Sequence, residues 1–324
     1  MLRLIFLLSV CYSLSAGTGY SYIFSGLISL LFLMHLNVKI SVFIVFLTLI
    51  LFGFSLMSLD GVFILYGFFG MIFLRFRTPP YLFMFNVLLF ITIISLISGV
   101  TNQSGLLQGI YFKPNNLAVS VSAGSVLLIR LLNKENTSSY RLYIYGIVFI
   151  VAAVLSGSRI AILVTALPYL RLLKERPYYF LIFLFALIAA YDQGLFDVLF
   201  EKLLRREDLM ADERLVIWAE VINRLEFIKY ADLIGIEKGL HNTFLFLLTN
   251  LGGFLGSLFS VLILIKFYKL SRLFGFMLIL VLLIYLNVEV IAYKELWIIS
   301  VFLIAELNYK ESRKALLQRQ LSIK

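Results

Sequence analysis

The stretch GLHNTFLFLLTNLGGFLGSLFSVLILI, residues 239 to 265, has no charged side chain from Asn242 to Ile265. A transmembrane helix needs roughly 17 to 25 predominantly apolar residues, and this run supplies them. One histidine, His241, stands at its lip in a chain whose only other histidine is His35. Similar apolar runs recur in both directions, broken by short charged clusters, and 62% of the 324 residues are hydrophobic. The breaks predict about twelve spans. They fall near residues 3–16, 20–36, 40–58, 61–74, 81–99, 115–132, 142–157, 160–170, 178–190, 242–265, 273–288 and 296–308. The fold class expected is therefore all-α, a polytopic membrane helical bundle. The apolar stretch after Met1 and Arg3 reads as the first helix, because a chain with so many later spans needs no cleaved signal. The single cysteine, Cys11, excludes an internal disulfide and a thiolate metal site.

The basic residues orient these spans. Arg75/Arg77, Lys134/Arg141, Arg171/Lys174/Arg176, Lys266/Lys269/Arg272 and the tail from Lys310 to Lys324 all fall on one side, which the positive-inside rule makes cytoplasmic. Arg3 and Lys39 agree, so both termini are expected in the cytoplasm. The net charge of +10 is then a topology signal, and nucleic-acid binding is not expected.

On the opposite face lie TNQSGLLQGIYFKPNN (101–116), the tight turn SGSR (156–159), a short turn at 289–295 and one long segment from Tyr191 to about Leu240. The long segment carries most of the acidic residues and seven basic ones, an exception that the positive-inside rule allows to long loops. Within it, ADERLVIWAEVINRLEFI places Leu215, Trp218, Ala219, Ile222 and Leu225 on one helical stripe. This predicts an amphipathic helix at the membrane surface, with Trp218 at the interface and Arg214 on the same face one turn earlier. An ion pair between Arg214 and a loop carboxylate fits the same pattern.

Arg159 follows Ser156, Gly157 and Ser158 in a turn between spans, where the next helix begins with unpaired amides and a positive dipole end. There it can hold an anion, or it can snorkel to headgroups while the small residues permit close helix packing. His241 closes the long loop, and an unperturbed imidazole titrates near neutral pH, as a general base requires. Asn242 beside it can orient the ring or contact a polar substrate. His35 reads as structural. Two distant histidines with no cysteine cluster offer no metal site.

Four segments, GIYFKPNNLAVSVSAG, VLSGSRIAILV, ERLVIWAEVI followed by LIGI, and GLHNTFLFLLTNLGGFLG, occur in the order and at the topological positions of the bacterial O-antigen ligase and O-antigen polymerase family. In that family a P-N-x-L-A segment opens a span, an S-R follows another, and an R-x-x-x-W helix leads to an H-N that starts a late, glycine-ended span. Here the counterparts are Pro114 to Ala118, Ser158 with Arg159, Arg214 with Trp218, and His241 with Asn242. The resemblance covers roughly residues 105–260. The family's G-x-x-G has Gly252 in its first position and Leu255 in its second, while Gly253 and Gly256 form the pair one residue later, and Lys113 stands where asparagine is common.

The resemblance implies a GT-C-like membrane glycosyltransferase of the bacterial inner membrane with a periplasmic active site. It would act on an undecaprenyl-pyrophosphate-linked oligosaccharide without a metal or other cofactor, in the lipid bilayer and alongside a chain-length regulator. It implies His241 as base, Arg159 and Arg214 as pyrophosphate clamps, and Asn242, Asn115, Trp218 and Ser158 at the substrate. The expected organisation is N-terminal spans over 1–100, a ligase/polymerase-like core over 101–265 that includes the periplasmic loop 191–241, and C-terminal spans with a basic tail over 266–324. A polymerase would extend another lipid-linked repeat unit, whereas a ligase would pass the glycan to the lipid A core. A transporter or flippase is the alternative of another class, although its expected repeated halves are not visible in the sequence.

Overall fold

A computed structural model describes residues 1–16, 18–134, 140–175, 216–230, 242–275, 281–283, 285 and 294–322. Among these residues the regular structure is all helical. The helices are α1 (Leu2–Leu14), α2 (Tyr20–Met34), α3 (Val38–Gly53), α4 (Leu59–Phe73), α5 (Tyr81–Ser98), α6 (Pro114–Lys134), α7 (Tyr140–Leu155), α8 (Arg159–Glu175), α9 (216–223), α10 (Thr243–Phe274) and α11 (Glu295–Ser322). Their starts follow local chemistry. The side chains of Asn37 and Ser58 accept from the backbone of Lys39 and Gly61 and so cap α3 and α4. Pro114 occupies the first position of α6, where its missing N–H costs nothing.

The first eight expected spans, the tenth and the twelfth each coincide with one of these helices. The ninth, 178–190, and most of the eleventh lie outside the described residues. Length separates the helices further. Tyr81–Ser98, Pro114–Asn133 and Thr243–Ser271 are long and apolar enough to cross a membrane, whereas Leu2–Leu14, Tyr20–Met34, Val38–Gly53, Gly61–Phe73, Arg141–Leu155 and Arg159–Tyr169 are apolar but shorter. At about 1.5 Å per residue, the 13 residues of α1 span about 20 Å, less than a hydrocarbon core of about 30 Å. Two features mark the ends of elements. The basic stretch from Lys310 is helical, since α11 continues as one helix to Ser322. His35 caps the C-terminus of α2, its Nδ1 lies 3.0 Å from the Leu31 carbonyl, and its ring meets Phe76 edge-on at 5.7 Å.

The chain forms two compact units, residues 1–81 with 217–324, and residues 82–216. In the first, α4 and α11 pack together with α1, α2 and α10 around them. The start of α11 is the core, with Leu296, Trp297, Ile298 and Ile299 all fully buried. Gly67 of α4 makes that approach feasible, since a Cβ there would lie 2.8 Å from Trp297 Nε1. At the other end of α4, Asn308 Nδ2 donates to the carbonyls of Met71 (2.9 Å), Ile72 (3.2 Å) and Leu74 (3.1 Å), and its Oδ1 accepts from Lys266 at 2.6 Å. These are the carbonyls that a helix C-terminus leaves unpaired. The buried Glu306 accepts from Tyr81 Oη at 2.9 Å and pairs with Lys310 at 3.1 Å.

The second unit is built on α6, which is buried along most of its length between α7 and α8. Gly124 admits the ring of Phe149, which in turn meets Phe85 edge-on at 5.6 Å. Tyr169 of α8 donates to the Tyr143 carbonyl of α7 at 2.5 Å.

Candidate functional site

In the second unit, Arg159 is the first residue of α8 and is exposed. Ser158 is its cap, with its Oγ accepting from the Ala161 N–H at 3.3 Å. The turn before it depends on Gly157, which sits at φ +67° and leaves only 2.6 Å between a would-be Cβ and Leu106 Cδ2. Leu106 belongs to the loop that leads to α6. That loop is shaped by Asn102, whose side chain accepts from the N–H groups of Ser104 and Leu106, and it is tied to α7 by the Leu107 N–H on the Leu155 carbonyl at 2.9 Å. Asn115, exposed at the second position of α6, follows directly, and Tyr111 is locked to Ser120 by a 2.6 Å hydroxyl contact. The loop and the SGSR turn, far apart in sequence, thus form one surface at the end of the unit where α8 begins.

In the first unit, Asn242 is buried and caps α10, its Oδ1 accepting from the Leu245 N–H at 3.0 Å. The capping role fixes its side chain at the start of the helix. Trp218 lies on α9, and its neighbours are protein: with Ile217, Phe246 and Leu248 it packs around Val221 and Leu245. The side chain is half-buried in this apolar cluster, which α9 shares with α10. Arg214 and His241 lie outside the described residues. In the sequence each stands two residues before the first residue of one of these two clustered helices.

Below the cluster, α10 breaks. Gly252 has φ +77° and ψ 161°, outside helical geometry, within a run otherwise helical from Thr243 to Phe274. The segment that follows α9 enters the break. The Gly253 N–H donates to the Glu226 carbonyl at 2.9 Å, and the Phe254 N–H to the Phe227 carbonyl at 2.8 Å. The Asn250 carbonyl, released from the helix, accepts from the Ser58 N–H at 3.3 Å, and Ser58 Oγ donates to Asn250 Oδ1. Three backbone groups released by the break, the N–H groups of Gly253 and Phe254 and the Asn250 carbonyl, are thereby satisfied within the protein, as irregular backbone inside a membrane requires. The sequence signal was the paired glycines Gly252 and Gly253 together with Gly256, where a Cβ would lie 2.6 Å from Leu248 Cα.

Among the described residues, no group of three or more His, Cys, Asp or Glu side chains is placed to hold a metal ion. Comparison with protein-family models, with curated proteins and with solved structures finds no match to this chain. Among the described residues the regular structure is all helical, with three helices long and apolar enough to cross a membrane.

Proposed function

We propose that this chain is a membrane glycosyltransferase of the O-antigen polymerase type, transferring an undecaprenyl-pyrophosphate-linked glycan to a hydroxyl of another lipid-linked repeat unit. The acceptor oxygen bonds to the anomeric carbon as the bond from that carbon to the pyrophosphate oxygen breaks, with inversion. His241 takes the hydroxyl proton, and Arg159 and Arg214 stabilise the charge gathering on the pyrophosphate. Arginine suits that role because its planar fork pairs two oxygens at once and stays charged.

The observation that supports this reading is that α9 and α10, which Arg214 and His241 precede in the sequence, share one apolar cluster and are joined below it by backbone hydrogen bonds. The two backbone hydrogen bonds at the break, Glu226 to Gly253 and Phe227 to Phe254, share one sequence offset. Val221, Leu248, Trp218 and Leu245 are all members of one apolar cluster. Arg159, exposed at the capped start of α8, meets the remaining requirement for a cation at a helix N-terminus.

A broken helix is also a feature of transporters, in which the freed backbone groups bind the cargo. Here those groups are bonded to Ser58, Glu226 and Phe227, which favours the enzyme. The deciding experiment is a gene deletion complemented with wild type, Arg159→Ala, Arg214→Ala or His241→Ala, with lipopolysaccharide resolved on a gel. Core bearing a single repeat in the deletion strain identifies a polymerase, and bare core with glycan retained on the lipid carrier identifies a ligase. Full wild-type ladders from all three variants would remove the mechanism.

A further inference from the structure

We infer that Gly252 is a positioning residue: the break it makes in α10 fixes the segment after α9 against the helix capped by Asn242, and with it the placement of that helix start, where the function proposed above puts a substrate contact. The inference rests on that reading for its consequence, but its structural part stands on described residues alone. In an unbroken helix the Phe254 N–H would return to the Asn250 carbonyl and the Gly253 N–H to Thr249. Here those donors are redirected to Phe227 and Glu226, and the Asn250 carbonyl to Ser58. The segment after α9 is therefore held by the hydrogen bonds that α10 gives up.

Only glycine permits the exchange. Its φ of +77° lies where L side chains are rarely found, and a Cβ would stand 2.6 Å from the Ile228 carbonyl oxygen and 2.9 Å from that of Lys229. These are backbone atoms, which cannot rotate aside as a side chain end can. Gly253 differs, because a Cβ there meets Glu226 O and Leu225 Cδ2 at 3.4 Å, close to ordinary contact. Two adjacent glycines thus have separable roles. One sets the break, and the other supplies an N–H that any residue except proline can supply. A slide of α9 by one residue would break both hydrogen bonds and turn Val221 out of its cluster, so the seam admits a single register.

The test uses full-length protein in a Cys11→Ser background with cysteines at positions 221 and 248, whose oxidative cross-linking reports the register. Kinetics are measured on the protein without the added cysteines, reconstituted in liposomes with a lipid-linked repeat unit. Gly252→Ala should lose most of the cross-link and lower kcat by about 100-fold with the donor KM nearly unchanged, the size expected when reacting groups shift by about 1 Å. Gly253→Ala should retain the cross-link. Should Gly252→Ala fail to give a monodisperse peak in detergent, Gly253→Pro replaces it, since it deletes the N–H to Glu226 at a first helical position where proline is tolerated. A kept cross-link with lost kcat, or a lost cross-link with unchanged kcat, overturns the proposal. If His241→Ala transfers at the wild-type rate, the glycosyltransferase site fails instead, and the cross-link pattern still reports on the register.

Discussion

Ser58 and Asn250 are joined twice, by the Ser58 N–H on the Asn250 carbonyl at 3.3 Å and by the Ser58 hydroxyl on Asn250 Oδ1. The same hydroxyl accepts from the Gly61 N–H at 3.0 Å. One short side chain therefore caps α4 and fastens the broken end of α10. Gly61 closes this junction from the other side, since a Cβ there would lie within bonding reach of the Asn250 carbonyl oxygen.

Ser58→Ala should remove the cap of α4 and one of the two links to Asn250, at a cost of about 1–2 kcal/mol. Ser58→Thr keeps a hydroxyl in place and should restore most of the loss. Thermal unfolding of the purified variants in one detergent checks both, and equal stability of the alanine and threonine forms would show that the hydroxyl does not carry the junction.

Asn242 separates a structural role from a substrate role. Its Oδ1 accepts from the Leu245 N–H, a function that serine and aspartate also perform. Asn242→Ala should destabilise the protein by about 1 kcal/mol, and Asn242→Ser should recover that stability. If the side chain acts only as a cap, Asn242→Ser also recovers transfer activity. Recovered stability without recovered transfer would instead assign the amide to the substrate.

Much of the fold was legible in the sequence because apolar runs and charged breaks are local signals. The expected starts at residues 20, 81 and 115 fall within one residue of α2, α5 and α6. Crossing length was less legible, since runs such as 20–36 and 40–58 lose their C-terminal ends to the His35 cap and to the turn after Gly53. The continuation of α11 through Lys310, Arg313 and Lys314 escaped a reading based on hydropathy, because charged residues end a span without ending a helix. The site was legible in part. Ser158 and Asn242 stand at helix starts, as small polar residues before apolar runs do, but their side chains cap the helices there. The seam between Phe227 and Phe254 was not legible, because its bonds are between backbone groups and leave no side-chain signature beyond the glycines that permit them.

Gly157 should be intolerant of a side chain. Its φ of +67° costs an L residue roughly 1 kcal/mol or more, and the added methyl would press on Leu106 at 2.6 Å. Gly157→Ala is expected to lower the Tm and, by turning the start of α8, to weaken the contribution of Arg159 to transfer. Shortening Leu106 to alanine in the same chain removes the steric part alone. The double variant should therefore recover activity more than stability, since Leu106→Ala also empties packed volume. Paired measurements of Tm and transfer rate on the two single variants and the double check this.

Asn308 gives the sharpest test of how the two long helices of the first unit are fixed. Its amide nitrogen serves the last carbonyls of α4, and its oxygen receives the Lys266 ammonium, so one buried side chain links α4, α10 and α11. Asn308→Leu keeps the volume but removes the donor to three carbonyls and the acceptor of the half-buried Lys266 ammonium, and should cost about 2–3 kcal/mol. Asn308→Asp retains the acceptor for Lys266 while losing the donors to Met71 and Leu74. Adding Lys266→Met to Asn308→Leu should return part of the loss, because the stranded cation is removed while the carbonyls stay uncapped. A double-mutant cycle on Tm measures the coupling directly. Additive losses from Lys266→Met and Asn308→Leu would mean that the 2.6 Å contact contributes nothing to holding α10 against α11.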